Sequence, residues 1–282
     1  MKKMIQVAVK EPQYCVSTNV TFAQVDGWFG HVVKDLKLDI VYPEHVEKRP
    51  CIVWICGGAW QQMSVSAHLA YLCELARHGF VVASVQYRTS NESVFPAQLE
   101  DIKAAIRYLK AHSDRFCIDP ERFGIMGESA GAHLAAMAAL TGDRKEYDKG
   151  DYLDYNSKVQ AACPWYIPSD FNKFPKMSDV DRMASAESLL LGKNAGLHVE
   201  ETMKMCPVSY VTKDAPPFLL LHGTDDHTVP FSQGEAMYEE LVKHGVETDL
   251  IAIEGADHAD LQFFQKEIWD LITEFFQRTL HV

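Results

Sequence analysis

An α/β architecture, with a mostly parallel sheet covered by helices on both faces, is predicted by three features of the sequence. Runs at 51–56, 80–86 and 122–127 read as strands, and the first is apolar throughout and rich in β-branched residues, which is the composition of a strand buried on both faces. Segments of helical spacing alternate with these runs. Strand, helix, strand, helix order implies right-handed crossovers between parallel strands. The third run ends at Gly127 and passes through Glu128 and Ser129 directly into a helix of small residues, so the chain reverses sharply at a strand end.

Residues 4–9 and 20–25 alternate weakly between apolar and polar, and 37–41 alternates more clearly before Pro43 stops it. All three are expected to be half-exposed, antiparallel edge strands. The buried strand 51–56 leads to Gly57, Gly58, Ala59 and Trp60, then to a helix over 67–78 that ends at Gly79. Strand 80–86 follows. Pro96 marks the next helix start, after which Leu99, Ile102, Ala105, Ile106 and Leu109 recur at helical spacing.

After the helix that follows Ser129, the period degrades from residue 141, and DRKEYDKGDYLDYNSK reads as a surface excursion. A strand returns at 159–164. Residues 165–210, with several Pro and Gly and only short helical patches, read as a small cap-like insertion over the sheet edge rather than a second domain. Strand 217–221, helix 231–243 stopped by Gly245, strand 246–253, the loop EGADH and an amphipathic helix from about 259 to 280 complete the chain. No internal repeat or low-complexity linker interrupts it.

Composition limits the function classes. The 282 residues, 47% hydrophobic and 23% charged, suffice for one large core, so a single domain over 1–282 is expected. A formal net charge of −12 argues against nucleic acid or an anionic membrane as partner, because both reward clustered Lys and Arg. Seven cysteines, an odd number scattered through apolar runs, read as reduced core residues, and no paired C-x-x-C units point to zinc. In MKKMIQVAVK the apolar run is cut at Lys10, so no export signal is read and a cytoplasmic protein is expected. No apolar stretch approaches the roughly 20 residues of a membrane-spanning helix.

Ser129 lies between Gly127 and Gly131 in a strand-turn-helix setting. This fits a nucleophile elbow, where neighbours must lack bulk and the hydroxyl stands clear of the sheet. Ser129 and Ala130 then lie at a helix start, whose unpaired N–H groups can stabilise an oxyanion. The plainer alternative is a serine cap on an ordinary turn. Acyl transfer by serine also needs a base, an acid to orient it, and further donors for the oxyanion. In an open parallel sheet, loops from the carboxyl ends of separate strands converge at one edge.

Ser129, Asp226 and His258 occur in the order nucleophile, acid, base, each after a predicted buried strand. Asp225 is equally placed, position in the loop does not choose between the two, and Asp257 and Asp260 are further candidates. His258 lies in a short polar loop flanked by small residues. His78, His112 and His244, near helix ends, are better placed to offset helix dipoles. In CGGAW at 56–60, Gly57 and Gly58 let backbone N–H groups approach a ligand, although a plain tight turn has the same composition.

Taken together, KLDIVYP at 37–43, CGGAW at 56–60, Tyr87 with Arg88, FPAQLEDIKAAIRYL at 95–109, DPERFGIMGESAGAHLA at 119–135, PPFLLLHGTDDHTVP at 216–230 and GADH at 255–258 span most of the chain. They resemble the α/β-hydrolase superfamily and, within it, bacterial carbohydrate esterases of the acetylxylan and feruloyl esterase type. The resemblance implies the α/β-hydrolase fold. It also implies Asp226 as the acid, from the pattern HGxxDxxVP, and oxyanion donors from the backbone of Gly58 or Ala59 together with Ala130. One departure is Cys56, where the family carries histidine. The smaller side chain alters the hydrogen bonds that hold the loop and leaves its backbone donors in place. Cys56 has no paired base that would make it a nucleophile.

Trp60 and Gln61 leave this loop and Trp165 follows the strand after the elbow helix, so these residues are expected near the substrate, with core packing as the alternative for each aromatic. The short insertion suggests an accessible pocket for small acyl groups, acetyl first and feruloyl next. The expected activity is that of a serine esterase removing acetyl groups from carbohydrate esters such as acetylated xylan fragments, without cofactor or metal. An aryl formamidase, a small peptidase-like amide hydrolase and a non-catalytic binding protein on the same fold are the alternatives. Oligomeric state is not encoded in any feature of the sequence.

Overall fold

Eight strands form one sheet in the order β1-β2-β4-β3-β5-β6-β7-β8. The computed structural model describes residues 1–27, 30–44, 46–175 and 178–282. β1 (Tyr14–Gly27) pairs antiparallel with β2 (Val32–Pro43), and β2 pairs antiparallel with β4 (Val81–Val85). From β4 onward, β3 (Arg49–Ile55), β5 (Ile118–Glu128), β6 (Ala161–Trp165), β7 (Phe218–Gly223) and β8 (Thr248–Ile253) all run parallel. The predicted α/β class and its antiparallel N-terminal edge are therefore present.

Period-two alternation divides the core into two layers. Along β3, Val53 and Ile55 face a layer with Leu99, Ile102 and Ile106 of α2 (Ala97–Ala111), Ala135 of α3 (Ala130–Leu140) and Met237 of α7 (Ser232–Lys243). Ile52 and Trp54 face the opposite layer, with Leu72 of α1 (Leu69–Arg77) and Ile272 and Phe276 of α8 (Lys266–Thr279). Because both faces are covered, the central strands carry no polar face, and this is what made them legible as continuous apolar runs.

Two expectations are corrected. Residues 4–9 are not a strand: β2 ends at Pro43, paired with Tyr14, and residues before Gln13 have no ladder to join, so Met4, Ile5, Val7 and Val9 are exposed. The last helix begins at Lys266 rather than near 259, because Asp260 caps a 3-10 turn at Leu261–Phe264 that buries Phe263 first. The excursion after Leu140 lies against α2. Lys103, Arg107 and Lys110, at i, i+4 and i+7 on one helix face, are buried. Lys103 donates to the carbonyls of Thr141 and Arg144, Arg107 pairs with Asp148 at 3.2 Å, and Lys110 donates to Asn156 Oδ1 and the Lys158 carbonyl. Burial without these partners would be costly for three cations.

The segment between β6 and β7 contains α4 (Asp179–Met183), α5 (Ala186–Leu191), α6 (Val199–Met203) and 3-10 turns. Residues 176 and 177 of the expected insertion lie outside the described residues. Gln233 of α7 ties the start of the segment by accepting from the amides of Ser169 and Asp170.

Candidate active site

The turn after β5 is as sharp as the Gly-x-Ser-x-Gly spacing requires. Ser129 has φ 52° and ψ −120°, a backbone conformation that non-glycine residues adopt only when their surroundings enforce it. Its amide donates to the Trp165 carbonyl at 3.0 Å, and its carbonyl accepts from His133 N–H at 3.0 Å as α3 begins. A Cβ on Gly131 would stand 2.1 Å from the Ile55 carbonyl oxygen, and one on Gly127 2.6 Å from the same atom. Backbone fills both places, so neither position admits a side chain.

Loops from the ends of β7 and β8 meet Ser129. His258 Nε2 lies 3.0 Å from Ser129 Oγ, and His258 Nδ1 lies 2.7 Å from Asp226 Oδ2. The other oxygen of Asp226 accepts the amides of Thr228 at 2.9 Å and Val229 at 2.7 Å. Burial opposes ionisation of this carboxyl, but hydrogen bonds from His222, His258 and the Val229 amide outweigh it and hold the group well below the usual carboxylate range. Asp225 is exposed and takes the Thr224 hydroxyl. Asp257 accepts from His227, and Asp260 caps Leu261. Of the four acidic candidates, only Asp226 contacts the His258 ring.

The loop after β3 supplies backbone donors. Gly58 has φ +123°, and a Cβ there would stand 2.1 Å from the Gln62 carbonyl oxygen. The Gly57 amide is engaged by Glu128 Oε1 at 3.3 Å. Among the described residues, the amides of Gly58, Ala59 and Ala130 have no hydrogen-bond partner. A cleft of about 670 Å³ opens over Ser129 and His258 and is bordered by Gly58, Ala59, Gln61, Asn91 and Tyr166.

Two of the three expected substrate contacts lie elsewhere. Trp60 is 4% exposed and packs beneath the loop with its indole N–H on His133, and Trp165 is fully buried in the sheet, edge-on to Trp54. Their size and the surrounding apolar layers drew them inward. Gln61 does border the cleft. Sequence reasoning passed over Glu128, His68 and His133, although a glutamate beside Ser129 in a stretch otherwise buried and apolar is itself a signal. Among the described residues, no group of three or more His, Cys, Asp or Glu side chains could hold a metal ion. No helix among them is long and apolar enough to cross a membrane.

An aligned hydroxyl, imidazole and carboxylate beside unpaired amides can transfer an acyl group through a covalent intermediate. A family model described as BD-FAE matches residues 38–241. A truncated form of a carbohydrate esterase from gut microbiota is 30% identical with a TM-score of 0.84, covering 97% of this chain and 100% of that one. A thermophilic esterase from the Planctomycetes species Thermogutta terrifontis, with propionate bound, is 25% identical with a TM-score of 0.75 over 93% of this chain and 94% of its own. The probable carboxylic ester hydrolase LipM of Mycobacterium tuberculosis is 30% identical over 199 residues, 68% of this chain and 44% of that protein. The chain spans about half the length of the curated relatives it matches.

Proposed function

The chain belongs to the BD-FAE family, and from that premise we propose that it is a serine carboxylesterase that removes short acyl groups, acetyl above all, from carbohydrate esters. The observation that carries this reading is the continuous contact from Asp226 through His258 to Ser129, at 2.7 and 3.0 Å. In the reaction, Ser129 Oγ attacks the ester carbonyl carbon while His258 Nε2 takes the hydroxyl proton. Asp226 holds the Nδ1–H tautomer and stabilises the imidazolium that forms. The carbonyl oxygen becomes an oxyanion, for which the amides of Gly58, Ala59 and Ala130 are the donors. Each such donor is worth about 10²–10³ in rate.

Collapse of the tetrahedral intermediate breaks the bond to the alcohol oxygen, which receives the proton from His258. Water, deprotonated by the same imidazole, then attacks the acyl-enzyme, and Ser129 regains its proton as the carboxylic acid leaves.

Carbohydrate as the alcohol is supported by the name of the gut-microbiota esterase, and a small acyl group by the propionate held by the Thermogutta enzyme. One catalytic domain over 1–282, with 165–210 as a small cap, is part of the same reading. Seven free cysteines fit a reducing compartment, hence a cytoplasmic enzyme acting on imported oligosaccharides. The test compares acetate release from acetylated xylan fragments with hydrolysis of N-formylkynurenine, alongside p-nitrophenyl esters of increasing acyl length. A steep fall beyond short chains with acetate release supports the reading. Preferential cleavage of the formamide would replace it with an amide hydrolase.

A further inference from the structure

A second carboxylate lies beside Ser129, and the steps above do not use it. Glu128 is 7% exposed, and its contacts reach three separate parts of the site. Oε1 accepts the Gly57 amide at 3.3 Å, lies 3.1 Å from His68 Nε2 and takes the Cys56 thiol at 3.6 Å. Oε2 accepts the Tyr166 hydroxyl at 2.7 Å. The ring of Tyr166 in turn lies 4.6 Å from that of His258. His68 is fixed from behind, stacked on Phe264 with ring centroids 4.8 Å apart and edge-on to Trp54 at 5.8 Å.

A carboxylate placed near a developing oxyanion would oppose it, unless its charge is engaged and its contacts serve the geometry. Both conditions hold for Glu128. Its charge is met by His68 and the Tyr166 hydroxyl. Its hold on Gly57 fixes the first amide of the loop, and the next two amides, of Gly58 and Ala59, are left free toward the cleft. Tyr166 carries the same constraint to the His258 ring, tilted 60° to it at 4.6 Å. We propose that Glu128 is a positioning residue for the ester hydrolysis, aligning the oxyanion loop through Gly57 and the His258 ring through Tyr166. The inference rests on the hydrolase reading of Ser129, Asp226 and His258.

The side-chain chemistry makes this testable with little change in volume. A carboxylate offers acceptors on both sides, whereas the amide of Gln offers one acceptor and one donor. In Glu128→Gln, either the donors on the loop side or the Tyr166 hydroxyl must face an NH₂ group. The experiment measures kcat and KM for p-nitrophenyl acetate, inhibition by an acetyl-sized trifluoromethyl ketone, and the thermal midpoint, in wild type and in Glu128→Gln, Tyr166→Phe and Ser129→Ala.

For Glu128→Gln the expected result is a fall in kcat of about 10–10² with proportionally weaker ketone inhibition, while KM stays within about twofold, because misaligned oxyanion amides weaken the tetrahedral state more than the bound ester. Tyr166→Phe, which removes one contact and is the milder change, should move kcat and ketone inhibition in the same direction by less. Unchanged kcat in Glu128→Gln, or a loss matched only by a lowered midpoint with ketone affinity intact, would overturn the inference. Retained turnover in Ser129→Ala would instead remove the hydrolase reading, and this inference with it.

Discussion

The indole N–H of Trp60 donates to Nδ1 of His133 at 3.2 Å, and Nε2 of the same ring donates to the Met205 carbonyl at 2.7 Å. This arrangement admits only the neutral imidazole, since a proton on Nδ1 would remove the acceptor that Trp60 uses. Full burial pushes the His133 pKa from 6.5 down to about 4, against a smaller opposing effect of the Met205 carbonyl. The unfolded chain therefore binds a proton that the folded chain refuses between these values. Stability from this residue is fully present above pH 6.5 and is lost as pH falls toward 4, by about 3 kcal/mol in total. Denaturant midpoints from pH 8 to pH 4.5 should fall more steeply in wild type than in His133→Phe, although the variant is less stable at pH 8. Parallel curves would contradict this.

Replacement of Asp226 by Asn should damage the reaction without unfolding the loop. The Asn carbonyl can still accept from Thr228 and Val229, which leaves its NH₂ group facing His258 Nδ1. That contact forces the proton onto Nε2, where it blocks transfer from Ser129. The expected fall in kcat on p-nitrophenyl acetate is about 10⁴, with KM little changed. A fall below tenfold would assign the orienting role to another acid. In wild type, the Asp226 carboxyl is held well below the usual range, so its protonation does not set the acid limb of the activity profile.

Two glycines give opposite predictions for one substitution. At Gly131 a Cβ meets the Ile55 carbonyl oxygen at 2.1 Å and its carbon at 2.7 Å, so Gly131→Ala must displace β3 or α3. The expected cost exceeds about 3 kcal/mol, or the chain fails to fold. At Gly150, with φ +79° and nothing within 4 Å, Ala meets only its own backbone preference, worth roughly 1–2 kcal/mol. Denaturant midpoints of the two variants separate these cases.

What the sequence disclosed follows from which interactions are local. Residues 51–56 and 80–86 could be read as buried parallel strands because burial on both faces leaves no polar alternation. Gly127, Ser129 and Gly131 could be read together because the reversal from β5 into α3 is completed within five consecutive residues. Asp225 and Asp226 could not be separated by position, since the choice depends on a histidine 32 residues away. Glu128, joined to Gly57, His68 and Tyr166, and the α2 cations that hold the excursion after Leu140, are set by contacts between distant segments. Trp60 and Trp165 were placed at the cleft from proximity along the chain, and their side chains turn into the core.

If Ser129 is the nucleophile of an ester hydrolase, purified Ser129→Ala should lose turnover of p-nitrophenyl acetate. Removing the attacking oxygen should lower kcat by about 10⁴–10⁶, leaving the oxyanion donors and binding alone to act. Turnover equal to that of wild type, from protein with an unchanged thermal midpoint, would show that Ser129 is not the nucleophile.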